Sequence, residues 1–153
     1  MRILMSIQTR YARKIFAGRK KWEFRKNLPA LARESRSAVT TVVYSAGEDR
    51  AVIGEFTIGR IASMSFDRLM EFTGTSQDAD AVAWLRRYYG TSRQCGALEV
   101  CDARLYERPL GLRELRMQAP SFRPPQGFIY LDNHPGVERV LQSLGSIDGG
   151  VES

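Results

Sequence analysis

The order of the predicted strands and helices is the feature that most constrains the fold of this chain. Short apolar or alternating runs of strand length recur between Ile3 and Leu131, and helical patterns interrupt them without a regular strand–helix–strand alternation. Regular alternation would predict a parallel α/β sheet, whereas an irregular mixture favours an α+β domain. We therefore expect an α+β fold of five or six strands with inserted helices.

The strand-like runs fall in six places. They cover residues 3–7, 20–26, 38–44, 52–61, 96–106 and 128–131. The fourth run contains Gly54 and Gly59, and glycines inside a strand favour bulges or tight bends. Such bends are common in small barrels, so the sequence predicts a barrel-like sheet.

Helical spacing and helix-breaking residues set the expected helices. Gln8 and Thr9 offer a cap for a first helix, which Gly18 ends. Further helical stretches are expected over 67–72, 81–89, 112–116 and 135–144, with residues 27–37 as an irregular or helical connection. Gly145 is expected to end the last helix, so we predict a single domain over 1–145 and a flexible C-terminal tail over 146–153.

The length of the chain bounds its class. The 153 residues suit one domain with one core. No run of about eighteen apolar residues occurs, and the run from Ile3 to Met5 is too short for a signal peptide. The sequence therefore predicts a cytoplasmic protein that does not enter a membrane.

The positive charge is concentrated near the N-terminus. The formal charge is +6, but residues 1–36 carry a net +9 and the remaining residues a net −3. A local excess of this kind attracts polyanions, and the nucleic-acid backbone is the commonest one inside cells. A solvated basic face without a partner is the alternative interpretation.

Aromatic side chains lie among these cations. Tyr11, Phe16, Trp22 and Phe24 are interleaved with the basic residues, and residues 20–26 alternate as an amphipathic strand. Rings beside cations can stack on unpaired bases, as single-strand binding requires. Several of these rings would fit a hydrophobic core equally well.

Residues of the kinds that bind metals or form disulfides are few. Cys95 and Cys101 are the only cysteines, His134 is the only histidine, and no CxxC pair occurs. Four acidic residues at expected cap and loop positions have no recognisable ligand spacing: Asp67, Glu71, Asp78 and Asp80. We expect structural thiols, no metal site and no cofactor.

One short motif resembles a known family. Gly18, Lys20, Glu23 and Arg25 form a G-x-K-x-x-E-x-R pattern, and the surrounding segment resembles the opening of the ASCH domain family in the PUA-like β-barrel superfamily. Later segments are similar, in order, to strands of its prokaryotic regulator-like branch: residues 44–45, 53–56 and 125–131. The resemblance covers roughly residues 3–132 and implies a compact β-barrel with a cleft beside the first helix.

The resemblance also implies a function. The family is predicted to bind RNA, in some members for translational or transcriptional control. Other resembling proteins are enzymes: one group removes the acyl group of N4-acetylcytidine with a lysine, a threonine and a glutamate, and another cuts RNA.

The enzymatic residues transfer to this chain only in part. The lysine falls on Lys20, but the threonine falls on Glu23, and a carboxylate cannot be activated by proton removal as a hydroxyl is. The acidic partner of that group, within residues 67–80, has no match that we can assign. RNA binding is therefore the leading hypothesis, and a hydrolase acting on a modified nucleoside or on RNA through Lys20 and Glu23 is the alternative.

The candidate binding residues divide into two groups. The first group, expected to form ion pairs, consists of Lys20, Glu23 and Arg25. Its cations would hold a phosphate or a base edge, and Glu23 would orient them or accept from a base amino group. A purely structural salt bridge is the alternative. Phosphate contacts are expected from five further cations: Arg10, Arg13, Lys14, Arg19 and Lys21. Gln126 is expected to line the cleft. An acidic protein partner would be a third class of function.

Overall fold

The computed structural model describes the backbone of residues 1–150 and the side chains of residues 1–144. Within that part of the chain there are six strands: β1 (Arg2–Gln8), β2 (Trp22–Arg25), β3 (Val39–Ala46), β4 (Ala51–Met64), β5 (Cys95–Gly111) and β6 (Phe128–Tyr130). They form one sheet in the order β2-β5-β4-β3-β1-β6, in which β1 pairs in parallel with β3 and the other neighbours pair antiparallel. The sheet curls into a half-barrel, as the predicted barrel-like sheet requires. Together with the helices this confirms the predicted α+β fold.

Helices lie between most of the strands. The α-helices are α1 (Thr9–Phe16), α2 (Ala30–Glu34), α3 (Phe66–Phe72), α4 (Ala79–Tyr89), α5 (Leu112–Gln118) and α6 (Pro135–Gly150). Both α3 and α4 belong to one excursion between β4 and β5, with a short 3-10 turn between them. Across residues 1–150, no helix is long and apolar enough to cross a membrane.

The two glycines predicted to bend the fourth strand do so. The pairing of β4 with β5 shifts register around both Gly54 and Gly59. At Gly54 a β-carbon would lie 2.5 Å from the carbonyl oxygen of Arg104 and 2.8 Å from the ring of Phe16. The absence of a side chain therefore lets α1 approach the curled sheet closely.

Hydrophobic clusters fix the helices on the sheet. Ala12 and Ile15 of α1 pack against Phe56 of β4 in one cluster. A second cluster joins α6 to the other side of the sheet, through Leu141 and Val42. The α3–α4 excursion has its own cluster with β2 and β5. This last cluster holds α4 beside the edge of the sheet formed by β2 and β5.

Several predicted boundaries are wrong. β3 continues to Ala46 and β5 to Gly111, because pairing with neighbouring strands carries each ladder past the local sequence signal. The side chain expected to cap α1 does not do so: Gln8 makes no capping hydrogen bond, and the Thr9 hydroxyl bonds instead to Ser45 Oγ at 2.9 Å.

The end of the last helix also differs from the prediction. α6 passes Gly145 and runs to Gly150, so part of the expected tail is helical. A single glycine costs an α-helix only about 1 kcal/mol, which does not force it to end. Residues 151–153 lie outside the described residues, and the flexibility expected of the tail stays a prediction.

We expect Gly54→Ala to lower the free energy of unfolding by about 2 kcal/mol, because the new methyl group would overlap backbone and a packed ring. Gly136→Ala is the matched control, since a β-carbon there meets nothing within 4 Å and lies in a helix that favours alanine. Urea denaturation of both variants measures the difference. Equal stability of the two variants would contradict the close approach of α1 to β4.

Candidate nucleic-acid interface

A cleft of about 530 Å³ opens between α1, β2, α4 and the segment that precedes β6. Its lining comes from distant parts of the sequence: Ser6, Ile7, Gln8, Arg10, Tyr11, Lys20, Glu23, Phe24, Arg25, Ala46, Trp84, Tyr88, Pro124, Pro125 and Gln126. A cleft of this size suits a ligand of small-molecule dimensions.

The first helix is anchored so that one face is turned to the cleft. The Thr9 hydroxyl meets Ser45 at 2.9 Å, and Ala12 and Ile15 are buried against the sheet. Arg10 and Tyr11 are then left at the cleft, where the guanidinium carbon of Arg10 lies 4.7 Å from the centre of the Tyr11 ring. The helix therefore supplies a cation held on an aromatic ring.

The short edge strand β2 positions the charged residues of the motif. Glu23 pairs with Leu98 and Arg25 pairs with Gly96 in the ladder with β5. A β-carbon at Gly96 would lie 2.6 Å from the carbonyl oxygen of Arg25, so the glycine permits this close pairing. The ladder thus fixes the backbone that carries both side chains.

Lys20, Glu23 and Arg25 form one ion-pair cluster. Lys20 Nζ lies 3.2 Å from Glu23 Oε1, and Arg25 Nη2 lies 2.8 Å from Glu23 Oε2. Arg25 also donates from Nη2 to the carbonyl oxygen of Ser6 at 2.6 Å, and Lys20 donates to the carbonyl oxygen of Trp22. The side chains of Lys20, Glu23 and Arg25 are only 15%, 8% and 14% exposed.

The charges of the ion-pair cluster do not balance. Two cations share one carboxylate, which leaves one formal positive charge when all three groups are ionised. Burial lowers the pKa of Lys20 from its ordinary value, and the neighbouring carboxylate of Glu23 opposes that fall. A buried excess of positive charge favours an anionic or acceptor-rich ligand.

Four rings form an aromatic wall beside the ion-pair cluster: Tyr11, Phe24, Trp84 and Tyr88. Trp84 and Tyr88 are stacked with centroids 5.5 Å apart and planes 9° apart, and Trp84 lies 5.6 Å from Tyr11. Lys20 Nζ lies 5.0 Å from the centre of Phe24. Trp84 is 38% exposed, so part of its indole ring is open at the cleft.

Contacts across the sequence hold α4 at the cleft. The Tyr88 hydroxyl accepts from the backbone N–H of Lys26 at 3.1 Å. Tyr89 is buried, and its hydroxyl donates to the carbonyl oxygen of Gly96; burial also raises the pKa of this phenol. The wall is therefore tied to the same strands that carry the ion-pair cluster.

Five of the nine predicted binding residues line the cleft: Arg10, Lys20, Glu23, Arg25 and Gln126. Of the remaining four, Arg13 lies elsewhere and pairs with Glu48 and Asp49, each at 3.1 Å. Lys14, Arg19 and Lys21 are exposed cations on or just after α1 and do not line the cleft. The structure thus places Arg10 at the cleft with the ion-pair cluster and the other four predicted cations outside it.

Trp84, Tyr88 and Ser6 line the cleft but were not predicted as site residues. Trp84 lies off the apolar stripe of α4. Trp84 and Tyr88 are four residues apart, so they share one face of the helix, and this spacing could have indicated a pair of rings on the exposed side of α4. Nothing local to Ser6 marks it. It reaches the cleft because β1 lies beside the segment before β6, where Ser6 N donates to the carbonyl oxygen of Gly127 at 3.0 Å.

Solved structures with the same fold include proteins named as ASCH. Two are mutants of the ASCH protein from Zymomonas mobilis. One has 21% identity and a TM-score of 0.76, covering 94% of this chain and 97% of that chain; the other has 24% identity and a TM-score of 0.75, covering 94% and 95%. The N-terminal domain of McrB from Staphylothermus marinus is more distant, with 14% identity, a TM-score of 0.54, and coverage of 90% and 93%.

These likenesses confirm the resemblance to ASCH domains at the level of the fold: the chain has the fold of the Zymomonas mobilis ASCH protein over most of its length. No family model and no curated protein sequence matches the chain.

We expect Glu23→Gln to lower the free energy of unfolding by about 3 kcal/mol, because Lys20 and Arg25 would be left together with little compensation in a buried place. Glu99→Gln is the matched control, since Glu99 pairs with the exposed Arg60 at 2.9 Å and should cost little. Urea denaturation at neutral pH gives both values. A loss at Glu23 no larger than at Glu99 would contradict the account of the ion-pair cluster.

Proposed function

We propose that this chain binds single-stranded RNA, with the cleft as its specific contact and the exposed cations outside the cleft as general phosphate contacts. The observation that carries the proposal is the combination, in one cleft, of a buried positive excess and an exposed stacked ring. Cations attract the phosphate backbone, and rings stack on unpaired bases whatever their sequence.

The arrangement favours single strands over duplexes. Stacking on Trp84 requires a base whose face is free, and bases within a duplex are already stacked on their neighbours. The cleft is lined by the aromatic wall together with Pro124 and Gln126, and its volume of about 530 Å³ suits a base and not a duplex.

The exposed cations outside the cleft supply the general attraction. Lys14, Arg19 and Lys21 lie at or just beyond the end of α1, and Lys26 follows β2 with its Nζ 5.2 Å from the centre of the Tyr88 ring. Side chains of this kind neutralise phosphates without reading sequence. The resemblance to ASCH domains, for which RNA binding is predicted, supports the same function.

The contacts of Glu23 favour a role in RNA binding. They disfavour a hydrolase in which Glu23 is the nucleophile. Its carboxylate is engaged by Lys20 on one oxygen and by Arg25 on the other. A carboxylate held by two cations is a weakened nucleophile, and no proton can be removed from it to activate it.

We expect Trp84→Ala to weaken binding of a fluorescently labelled single-stranded RNA by roughly tenfold, because one base would lose its stacking surface. Phe72→Ala is the matched control: Phe72 is 37% exposed against 38% for Trp84, and it does not line the cleft. Fluorescence anisotropy at about 50 mM salt measures both variants, and raising the salt should weaken every complex. The proposal fails if single-stranded RNA does not bind at low salt, or if the two variants bind equally well.

A further inference from the structure

The ion-pair cluster offers more hydrogen-bond donors than acceptors. Arg25 uses Nε and Nη2 for Glu23 and the Ser6 carbonyl oxygen, and its Nη1 has no acceptor among the described residues. Lys20 gives two of its three protons to Glu23 and Trp22. Among the described residues Lys20 has no third hydrogen-bond acceptor, and its ammonium lies 5.0 Å from the centre of the Phe24 ring.

The acceptor of the ion-pair cluster itself, the Glu23 carboxylate, is nearly saturated. Glu23 receives Lys20 on Oε1 and two bonds from Arg25 on Oε2, at 3.2 and 2.8 Å. A carboxylate has about four acceptor sites, and the Glu23 side chain is only 8% exposed. Glu23 is therefore poorly placed to accept from a base amino group, the role that the motif suggested for it, and its remaining part is to orient the two cations.

Ser6 adds a second, independent sign of a ligand. Its Oγ is buried and has no hydrogen-bond partner in the described part of the chain, although Ser6 lines the cleft. A buried hydroxyl without a partner costs about 1 to 3 kcal/mol. A hydroxyl can donate or accept, so Ser6 marks a polar environment without choosing between a carbonyl oxygen and an amino group. The hydroxyl stands next to the cations in structure, because the Ser6 carbonyl oxygen accepts from Arg25.

The aromatic wall fixes what kind of ligand would bring acceptors there. Lys20 Nζ lies 5.0 Å from the Phe24 centroid and 5.9 Å from the Tyr11 centroid, so the donors and the rings border the same space. A flat ring stacked on the wall would therefore present its edge to the donors.

We propose that the cleft selects an unpaired base that presents carbonyl oxygens, such as guanine, hypoxanthine or uracil, over adenine. The inference rests on the proposed function and adds base preference to it. Carbonyl oxygens accept from the guanidinium of Arg25 and the ammonium of Lys20, whereas the amino group of adenine would bring another donor to these two donors.

The sharpest test compares inosine with adenosine, because the two purines stack alike and differ on one edge: inosine has an oxygen on carbon 6 and an N1–H, and adenosine has an amino group on carbon 6 and an N1 acceptor. Short single-stranded RNAs would carry one inosine or one adenosine flanked by abasic residues, so that no other base competes for the cleft. We expect the inosine RNA to bind about tenfold more tightly in fluorescence anisotropy at fixed low salt.

Variants assign that preference to the ion-pair cluster. Arg25→Lys keeps the charge but lacks Nη1, so the ratio of the two affinities should fall to about one. Lys20→Gln should also reduce the ratio. It is the replacement test if the melting curve of Arg25→Lys shows that this variant does not fold. Lys21→Ala, an exposed cation outside the cleft, should weaken both RNAs and leave their ratio unchanged.

The outcomes separate the base preference from the proposed function. Equal affinity for the two RNAs would overturn the base preference, because the donors would then serve phosphate oxygens, and RNA binding itself would stand. Tighter binding of adenosine, or a ratio unchanged in both Arg25→Lys and Lys20→Gln, would also overturn it. If neither RNA binds at low salt, the proposed function falls together with this inference.

Discussion

The sharing of one carboxylate by two cations is the interaction on which the cleft depends. Glu23 holds Lys20 and Arg25 at 3.2 and 2.8 Å, and through Arg25 it connects β2 to the carbonyl oxygen of Ser6 on β1. β1 and β2 lie at separate places in the sheet, four positions apart in the strand order, so the arginine bridges the concave side of the half-barrel. The same contact that stabilises the curl therefore leaves unbalanced positive charge at the cleft.

The curled sheet needs glycines at the points where a helix or a neighbouring strand comes close to its backbone. Gly54 admits the Phe16 ring of α1, and Gly96 admits the backbone of β2 beside β5. The excursion between β4 and β5 then places α4 against α1, with Trp84 near Tyr11. The proposed RNA contact therefore depends on the fold, because the rings that line the cleft are held by the same packing that curls the sheet.

Local patterns in the sequence predicted some of this arrangement. Alternation and apolar runs located the strands, glycines located the bends of β4, and the motif brought Lys20, Glu23 and Arg25 together correctly. Contacts between distant residues were not predictable in the same way. Arg13 pairs with Glu48 and Asp49, which lie more than thirty residues away, and no local signal distinguishes it from its cationic neighbours. Trp84 reaches the cleft only because α4 folds back onto α1, and the acceptor-poor character of the site depends on side-chain contacts that spacing alone does not specify.

The most direct test of the account is a nuclear magnetic resonance titration that follows the two tryptophan indole N–H signals. The chain has two tryptophans, Trp84 exposed at the cleft and Trp22 buried against Phe72 and Arg60. On addition of single-stranded RNA, the account predicts that the Trp84 signal shifts strongly together with the Nε–H signal of Arg25, while the Trp22 signal moves little. Saturation with RNA that leaves Trp84 and Arg25 unmoved, or that moves Trp22 more than Trp84, would contradict it.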